Sequence, residues 1–198
     1  MEYENFPQTE ILRDGRSIIV REMTIRDEAR MVEFFQGLPL EDRLFLRNDV
    51  TKPEVVHRFV RETEDLVLAL VVEFDGRIVA SATIERGLYG WTRHVGEVRL
   101  VVARSMQRCG LATVLLRHLV RAAPGEGIEI VKAFVAGSKG GALRALESLG
   151  FNKEATLRRH VKDVTGRKHD LLILTNDVSH IWEKMEALNS DFSPVLGG

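Results

Sequence analysis

The chain has 198 residues, of which 44% are hydrophobic and 29% are charged, and its formal net charge is −1. This composition is typical of a globular domain with its own core. The net charge gives no support to a nucleic-acid-binding protein, which would be strongly basic. The single cysteine excludes an intramolecular disulfide, and the absence of an apolar leader or membrane-length run predicts a cytoplasmic protein.

The first third of the sequence predicts one strand and a helix behind it. The residues before Ser17 are polar and are predicted to be irregular, whereas residues 17–23 are predicted to form the first strand. Thr24 or Asp27 can cap the helix that follows, and Pro39 breaks it. The predicted apolar stripe of this helix is Ala29, Val32 and Phe35, with Met31 and Phe34 beside it.

A second helix and a three-stranded meander are predicted next. The segment Thr51-Lys52-Pro53-Glu54 has the threonine and glutamate of a capping box. Residues 66–74 form a dense apolar run, and Asp75-Gly76 predicts a tight turn because both positions tolerate positive φ. The returning strands are predicted at residues 78–85 and 95–102.

The last part of the chain alternates between helices and strands. Gly150 is predicted to end the second of these helices at its C′ position. A final helix within the tail 176–198 either closes the core or faces a partner subunit, which leaves a homodimer open. The predicted elements are a helix at 110–122, a loop at 124–127, a strand at 128–135, a helix at 140–149, strands at 151–161 and 169–175 around Thr165-Gly166, and a helix at 178–188.

The most informative segment, residues 97–117, reads EVRLVVARSMQRCGLATVLLR and combines a strand, a tight turn and a helix N-terminus. The first N–H groups of a helix lack intrahelical acceptors, and the helix dipole favours an anion there. Gly110 and Ala112 carry little side chain, so a pyrophosphate can approach the backbone closely. Two other interpretations stay open: Gly110 merely turns the chain, or the turn holds a different nucleotide.

Two motifs in this sequence resemble those of the GNAT acetyltransferases. Gln107, Gly110 and Ala112 match the family's coenzyme A signature Q/R-x-x-G-x-G/A, and Leu149-Gly150-Phe151 matches the L-G-F that ends its last core helix. The predicted order of elements over residues 17–175 is also that of the family.

The resemblance implies a single domain over residues 1–198 with an α/β (α+β) GNAT fold. The implied sheet is mixed and mostly antiparallel, with six to seven strands and helices on both faces. Within the family, residues 12–15 and 20–29 resemble the bacterial protein-lysine acetyltransferases.

The resemblance also implies acetyl-CoA as cosubstrate. In this family pantetheine inserts between the fourth and fifth strands, so Val101 and Val102 are expected to supply backbone amides, and the Val102 N–H to polarise the thioester oxygen. The residues implied to bind the phosphates are Gln107, Arg108, Cys109, Gly110, Leu111, Ala112 and Thr113.

Glu97 is the candidate general base, since it precedes Gln107 by ten residues, as the catalytic glutamate does in the lysine-acetyltransferase branch. An alkylammonium group has a pKa of about 10.4 and must lose a proton before it can attack a thioester. The alternative is a surface glutamate paired with Arg99 or Arg93, and Glu85 on the neighbouring strand is the reserve candidate.

The family's usual general acid is missing. The position of its tyrosine is Leu146 here, and the position of its asparagine is Lys139. Either the CoA thiolate leaves unassisted or through water, or another group protonates it. This loss also admits a non-catalytic acyl-CoA sensor as an alternative to an enzyme.

Other features of the sequence allow weaker interpretations. The six histidines show no metal-ligand spacing, so no metal site is expected, and no G-x-S-x-G nucleophile motif is present. Cys109 lies in the turn, where a helix N-terminus can make a thiol redox-sensitive. A basic segment over residues 158–169 is either a solvated hairpin or a rim that attracts a CoA phosphate or an acidic acceptor.

The sequence therefore predicts an N-acetyltransferase that transfers an acetyl group from acetyl-CoA to a primary amine by direct attack. A protein lysine and a small-molecule amine both remain open as acceptors, because the motif does not describe the loops that form an acceptor pocket.

Overall fold

A computed structural model describes residues 6–43, 46, 48–61, 67–87 and 89–178 of the chain. Eight strands form one sheet with the order β1-β2-β3-β4-β5-β6-β8-β7. The strands are β1 (Gln8–Ile11), β2 (Ser17–Glu22), β3 (Leu68–Phe74), β4 (Arg77–Arg86), β5 (Val95–Val102), β6 (Ile130–Ala136), β7 (Asn152–Lys162) and β8 (Lys168–Asp177). The α-helices are α1 (Glu28–Gln36), α2 (Leu40–Arg43), α3 (Pro53–Arg61), α4 (Leu111–Ala122) and α5 (Gly140–Ser148).

The sheet is mostly antiparallel, and short hairpins connect β1 to β2, β3 to β4 and β7 to β8. Asp75 (φ 50°) and Gly76 (φ 73°) occupy the left-handed region between β3 and β4, as a tight hairpin turn requires. The only parallel pairing among the described strands is that of β5 with β6, which α4 connects. Parallel neighbours need such a crossover, whereas antiparallel ones do not.

Helices cover both faces of the sheet, as the sequence predicts. On one face, α4 and α5 contribute Leu115, Leu119 and Leu146 to a core that also contains Val98 of β5. On the other face, α1 and α3 pack Phe35 and other apolar side chains against the sheet. Alternate residues of β5 therefore contact different cores, since successive side chains of a strand point to opposite faces.

The segment before Ser17 differs from its prediction, because residues 8–11 form strand β1 and raise the sheet to eight strands. β1 pairs with β2 from Gln8↔Val20 to Ile11↔Ser17. Glu10 explains why a polar segment can form this strand: its Oε1 lies 2.6 Å from Arg117 Nη2 and 3.0 Å from His118 Nε2. These polar contacts with α4 replace the apolar contacts by which a buried strand is usually recognised.

The predicted helix caps are partly wrong and partly confirmed. Thr51 does not cap α3, because its Oγ1 donates to Asp49 Oδ1 and the helix begins at Pro53, where a proline needs no N–H acceptor. Gly150 (φ 89°) does end α5. Its N–H donates to the Glu147 carbonyl and the next N–H donates to Leu146, which is the Schellman pattern.

Three further predictions differ in detail. In α1, Met31, Phe34 and Phe35 are buried, whereas Ala29 is exposed, so the apolar stripe is shifted around the helix. The predicted loop at 124–127 is mostly a 3-10 helix, Ala123–Glu126. The predicted helix at 178–188 lies outside the described residues, apart from Val178. Within the part of the chain that is described, no helix is long and apolar enough to cross a membrane.

Candidate active site and cofactor cradle

The site lies where β5 and β6 separate. The two strands pair over three residues each, from Val95↔Ile130 to Glu97↔Lys132, although β5 continues to Val102 and β6 to Ala136. β6 pairs along its whole length with β8 on its other side. The edge of β5 beyond Glu97 therefore presents backbone groups that its parallel neighbour does not bind.

The register of β5 decides which backbone groups point into this gap. Ala103, the residue after β5, donates its N–H to the carbonyl of Val79 in β4. Because strand backbone groups alternate in direction, Val101 also turns its N–H and C=O towards β4, opposite Ser81. Leu100 and Val102 turn theirs towards the gap. Of the two residues expected to supply amides, Val102 therefore faces the gap and Val101 does not, and Leu100, which the sequence interpretation does not name, also faces the gap.

The turn after β5 brings the motif residues against this edge. Gln107 Nε2 donates to the Val102 carbonyl over 3.2 Å. Arg108 (φ 66°) and Gly110 (φ 90°) both occupy the left-handed region, which coils the backbone sharply before α4 begins. Turns of this kind assemble backbone N–H groups into anion-binding concavities.

The turn is packed against the core, whereas the N–H groups that follow it at the start of α4 have no acceptor within the helix. Cys109 and Leu111 are buried, and the Cys109 thiol donates to the Met106 carbonyl over 3.0 Å. The Gly110 carbonyl accepts the N–H groups of Thr113 and Val114. The N–H groups of Leu111 and Ala112 therefore head the helix without intrahelical acceptors, as an anion site requires.

Buried Cys109 does not have the environment of a redox-sensitive thiol. Its side chain is 4% exposed and occupied by its hydrogen bond to Met106. Reactive cysteines are partly exposed, whereas buried structural ones are inert. In this turn Cys109 serves as a core residue that holds the backbone in place.

Glu97 lies at the closed end of the gap, between two cations. Arg99 Nη2 donates to its Oε1 over 2.6 Å, and Lys132 Nζ lies 3.4 Å from its Oε2. The pairing with Arg99 is the one that the alternative interpretation of Glu97 as a surface glutamate expects, although this side chain is only 17% exposed. Arg99 also reaches Glu85, its Nε lying 3.3 Å from Glu85 Oε1, so one guanidinium connects the candidate base with the reserve candidate.

The residues at the family's acid positions have other roles here. Leu146 is buried in the core. Lys139 precedes α5, and its Nζ donates to Asp42 Oδ1 over 2.7 Å. Asp42 Oδ2 also accepts Arg104 Nε over 3.2 Å, so this carboxylate connects the segments that follow β5 and β6. Tyr89 is 90% exposed, and Tyr3 lies outside the described residues.

The wide end of the gap borders a shallow cleft of about 240 Å³. Its lining combines acidic, basic and apolar side chains from α2, the segment before α5 and the last hairpin: Glu41, Ser138, Lys139, Asp163, Val164 and His169. In the basic segment, Arg158, Arg159, His160, Lys162, Arg167 and Lys168 are all exposed on the β7–β8 hairpin. Within the described ranges, no group of His, Cys, Asp and Glu side chains has the arrangement of a metal site.

The separated strands and the glycine-led turn have a counterpart among known proteins. A family model described as "Acetyltransferase (GNAT) family" matches residues 29–151, more than half of the chain. The chain belongs to the GNAT acetyltransferase family. Membership identifies it as an N-acetyltransferase that depends on acetyl-CoA, and the open gap and the cradle at Gly110 fit that cosubstrate.

Individual relatives agree with this membership. The chain is 35% identical over 80 residues to the [Ribosomal protein bS18]-alanine N-acetyltransferase of Escherichia coli (strain K12), a match that spans 40% of this chain and 53% of that relative. The GNAT domain of S. lividans PAT has the same fold, with a TM-score of 0.70, 24% identity, and coverage of 86% of this chain and 96% of that one. A structure of yncA from Salmonella typhimurium with its cofactor acetyl-CoA matches with a TM-score of 0.70 and 20% identity, over 81% of this chain and 94% of the other.

Proposed function

We propose that this GNAT acetyltransferase acetylates a primary amine by direct attack on the thioester, with Glu97 as general base. The observation that carries the proposal is the position of Glu97 at the last paired residue before β5 and β6 separate. A carboxylate there adjoins the strand edge on which Leu100 and Val102 present their backbone groups. The proposed base and the proposed donor-binding edge therefore lie within a few residues of each other on β5.

Each step of the proposed reaction is assigned to a group of the candidate site. The turn from Gln107 to Thr113 would bind the phosphates through the N–H groups that lead into α4. The N–H groups of Leu100 and Val102 would hold the donor along the strand edge and stabilise the negative charge that develops on the thioester oxygen. Glu97 would take a proton from the ammonium group, directly or through one water, and the leaving thiolate would be protonated by water.

Arg99 and Lys132 would fix the Glu97 carboxylate during this step. Both approach within 3.4 Å and from different strands, so the carboxylate has little freedom to rotate. A base held in one position spends less entropy in reaching its proton.

The acceptor amine would enter through the cleft beside α2 and the last hairpin. Glu41 and Asp163 contribute carboxylates to its mixed-charge lining, and these would attract an ammonium group. A protein lysine and a small-molecule amine both suit this shallow opening. The relative from Escherichia coli is named for an alanine of a ribosomal protein, so an α-amino group also belongs in any acceptor panel. We also propose a cytoplasmic location, where acetyl-CoA is available.

The test measures release of the CoA thiol from acetyl-CoA with lysine peptides, peptides with an N-terminal alanine, amino acids, polyamines and aminoglycosides. Glu97→Gln is expected to keep acetyl-CoA affinity within about threefold and to lose turnover by 100-fold or more, the range of general-base catalysis being roughly 10²–10⁴. Glu85→Gln is the matched control, because it removes the other carboxylate bound to Arg99 and is expected to keep turnover.

Other results would change the proposal in defined ways. Loss of turnover in Glu85→Gln alone would transfer the role of base to that residue. Tight acetyl-CoA binding with no turnover on any acceptor would favour the non-catalytic acyl-CoA sensor. Equal binding of ATP or NAD would contradict the assignment of the turn to coenzyme A.

A further inference from the structure

The hairpin between β1 and β2 lies against the turn that leads into α4. The N–H of Arg13 donates to the Cys109 carbonyl over 3.2 Å, which fixes the hairpin backbone directly beside the cradle. The hairpin is itself closed tightly, since the N–H of Leu12 donates to the Arg16 carbonyl over 2.9 Å. This segment precedes residues 29–151 and is therefore not part of the match to the family model.

The side chain of Arg13 extends across Gly110. A Cβ built on Gly110 would lie 3.4 Å from Arg13 Cγ and 3.5 Å from its Cδ and Nε. The arginine stem thus occupies the space beside the glycine at the head of α4. This packing places the Arg13 side chain beside the residue that directly precedes α4, while Arg13 as a whole stays exposed.

The neighbouring charges leave Arg13 available for a ligand. Asp14 is the closest acidic residue in the sequence, but its Oδ2 accepts Arg16 Nη2 and Nε over 2.6 and 2.9 Å, and its Oδ1 accepts the Arg16 backbone N–H over 3.2 Å. Arg16 is held further by the Ser105 carbonyl, which accepts its Nη1 over 3.1 Å. Among the residues that the structure describes, none forms a side-chain hydrogen bond or ion pair with the Arg13 guanidinium.

We propose that Arg13 is a phosphate-binding residue of the acetyl-CoA site, supplied by the β1–β2 hairpin. The inference rests on the cofactor cradle described above and extends it to a segment outside the family motif. A planar guanidinium offers two parallel N–H donors to a phosphate, a geometry that an ammonium group cannot reproduce. The backbone N–H groups of α4 would then contact the anion from one side and Arg13 from the other.

Calorimetric titration of CoA and of 3′-dephospho-CoA tests this inference without reference to turnover. Arg13→Gln is expected to weaken CoA binding roughly 10- to 100-fold, the range for a hydrogen bond to a charged group. Arg13→Lys should recover only part of that loss, because it keeps the charge but not the fork. Arg26→Gln is the matched control, an exposed arginine of the 3-10 helix before α1, and should bind within about twofold of the natural chain.

The comparison of the two ligands identifies the phosphate. If Arg13→Gln weakens CoA but not 3′-dephospho-CoA, Arg13 binds the 3′-phosphate, whereas equal losses assign it to the pyrophosphate, and either result supports the proposal. Unchanged CoA affinity in Arg13→Gln overturns it while leaving the proposed function intact. Failure of the natural chain to bind CoA would overturn the cofactor site itself. A melting curve of each variant confirms that it is folded, as the exposure of Arg13 leads us to expect.

Discussion

Glu97 of β5 and Lys132 of β6 form the last pair of residues in the parallel ladder, and their side chains approach within 3.4 Å. The ion pair thus closes the narrow end of the gap. Beyond it, the N–H groups of Leu100 and Val102 on β5 face the gap and not β4. The residue proposed as base therefore belongs to the ion pair at the point where the two strands separate.

Lys132→Gln is expected to lower kcat roughly tenfold while leaving the affinity for acetyl-CoA nearly unchanged. The substitution removes one of the two cations that orient the Glu97 carboxylate, and a misplaced catalytic group lowers the rate. A tenfold loss of rate corresponds to a rise of about 1.4 kcal/mol in the activation free energy. Steady-state kinetics with both substrates measure the two effects separately. Lys153→Gln on exposed β7 is the control. An unchanged kcat would show that Arg99 alone positions Glu97.

Gly96→Ala should destabilise the fold by about 1–3 kcal/mol through overpacking at the closed end of the gap. A Cβ on Gly96 would lie 2.8 Å from Ile84 Cδ1 and 3.0 Å from Ile128 Cδ1, in a buried position. Urea unfolding followed by circular dichroism measures the change in the free energy of unfolding.

Gly141→Ala is the control for that experiment, with an expected effect on stability of the opposite sign. Nothing lies within 4 Å of a Cβ at this exposed position in the first turn of α5. The substitution should stabilise the chain by up to ~1 kcal/mol, because alanine loses less backbone entropy in a helix. Equal effects of both glycine substitutions would contradict the assignment of Gly96 to a packed site.

Most of the helices and strands were predictable because their signals are local. The Asp75-Gly76 turn and the Gly150 C′ position depend on a few adjacent residues, and both formed as expected. β1 was missed because Glu10 is held by Arg117 and His118, more than 100 residues away in the sequence. Thr51 does not cap α3 because its hydroxyl donates a hydrogen bond to Asp49, an alternative that the capping pattern does not include.

For the site, the sequence predicted the turn but not which strand residues face the gap. Leu100 and Val101 are both apolar, and only the pairing of β5 with β4 distinguishes them. Arg13 could not be recognised as a candidate from the sequence for a similar reason. Its proximity to Gly110 arises because a hairpin 97 residues earlier in the chain packs against the turn. Pairing partners over such separations cannot be predicted from local periodicity.

The Glu10 cluster makes stability depend on pH in the acid range. The hydrogen bond to His118 lowers the pKa of Glu10 from 4.5 to about 2, against the opposing effect of burial and with further help from Arg117. Since the folded state binds this proton more weakly than the unfolded chain, the stabilisation is complete above pH 4.5 and is lost as the pH falls towards 2.

Glu10→Gln should therefore flatten the fall in stability over that range. Its contribution is on the order of 2 kcal/mol, after allowance for solvent screening of a partly exposed carboxylate. Urea unfolding at several pH values between 2 and 6 measures it, with Glu154→Gln on exposed β7 as the control. An unchanged slope in Glu10→Gln would assign the acid sensitivity to other carboxylates. Buried Asp27 is the first of these to test: burial raises its pKa, but hydrogen bonds from Arg21 and the Thr24 backbone together leave that pKa lowered.

Cys109 should resist thiol reagents in the folded protein. Its side chain is 4% exposed and its thiol is bound to the Met106 carbonyl, so modification requires local opening of the turn. Reaction with a chromogenic disulfide should be slow for the native protein and complete within the mixing time after addition of denaturant. Rapid native reaction would restore the interpretation of Cys109 as a redox-sensitive residue.

Asp42→Asn should loosen α2 at the wide end of the gap. Asp42 accepts Lys139 over 2.7 Å and Arg104 over 3.2 Å, and its side chain is only 14% exposed. Burial would raise its pKa, yet the hydrogen bond from Lys139 and the contact with Arg104 keep the pKa lowered, so the carboxylate is ionised at neutral pH. Asparagine leaves the two cations without a shared anion, and we expect a loss of about 1–3 kcal/mol in the free energy of unfolding.

Glu41→Gln is the matched variant for Asp42→Asn, because Glu41 contacts the same Arg104 over 3.0 Å from a position that is 52% exposed. Exposed ion pairs contribute at most about 1 kcal/mol, so this substitution should have a small effect on stability. Both variants alter the cleft through which the acceptor is proposed to enter, but only Asp42→Asn removes the connection between the ends of β5 and β6. A rise in acceptor KM confined to Asp42→Asn would show that the bridge shapes the entrance. Equal rises in both variants would instead indicate that the carboxylates act through their charge alone.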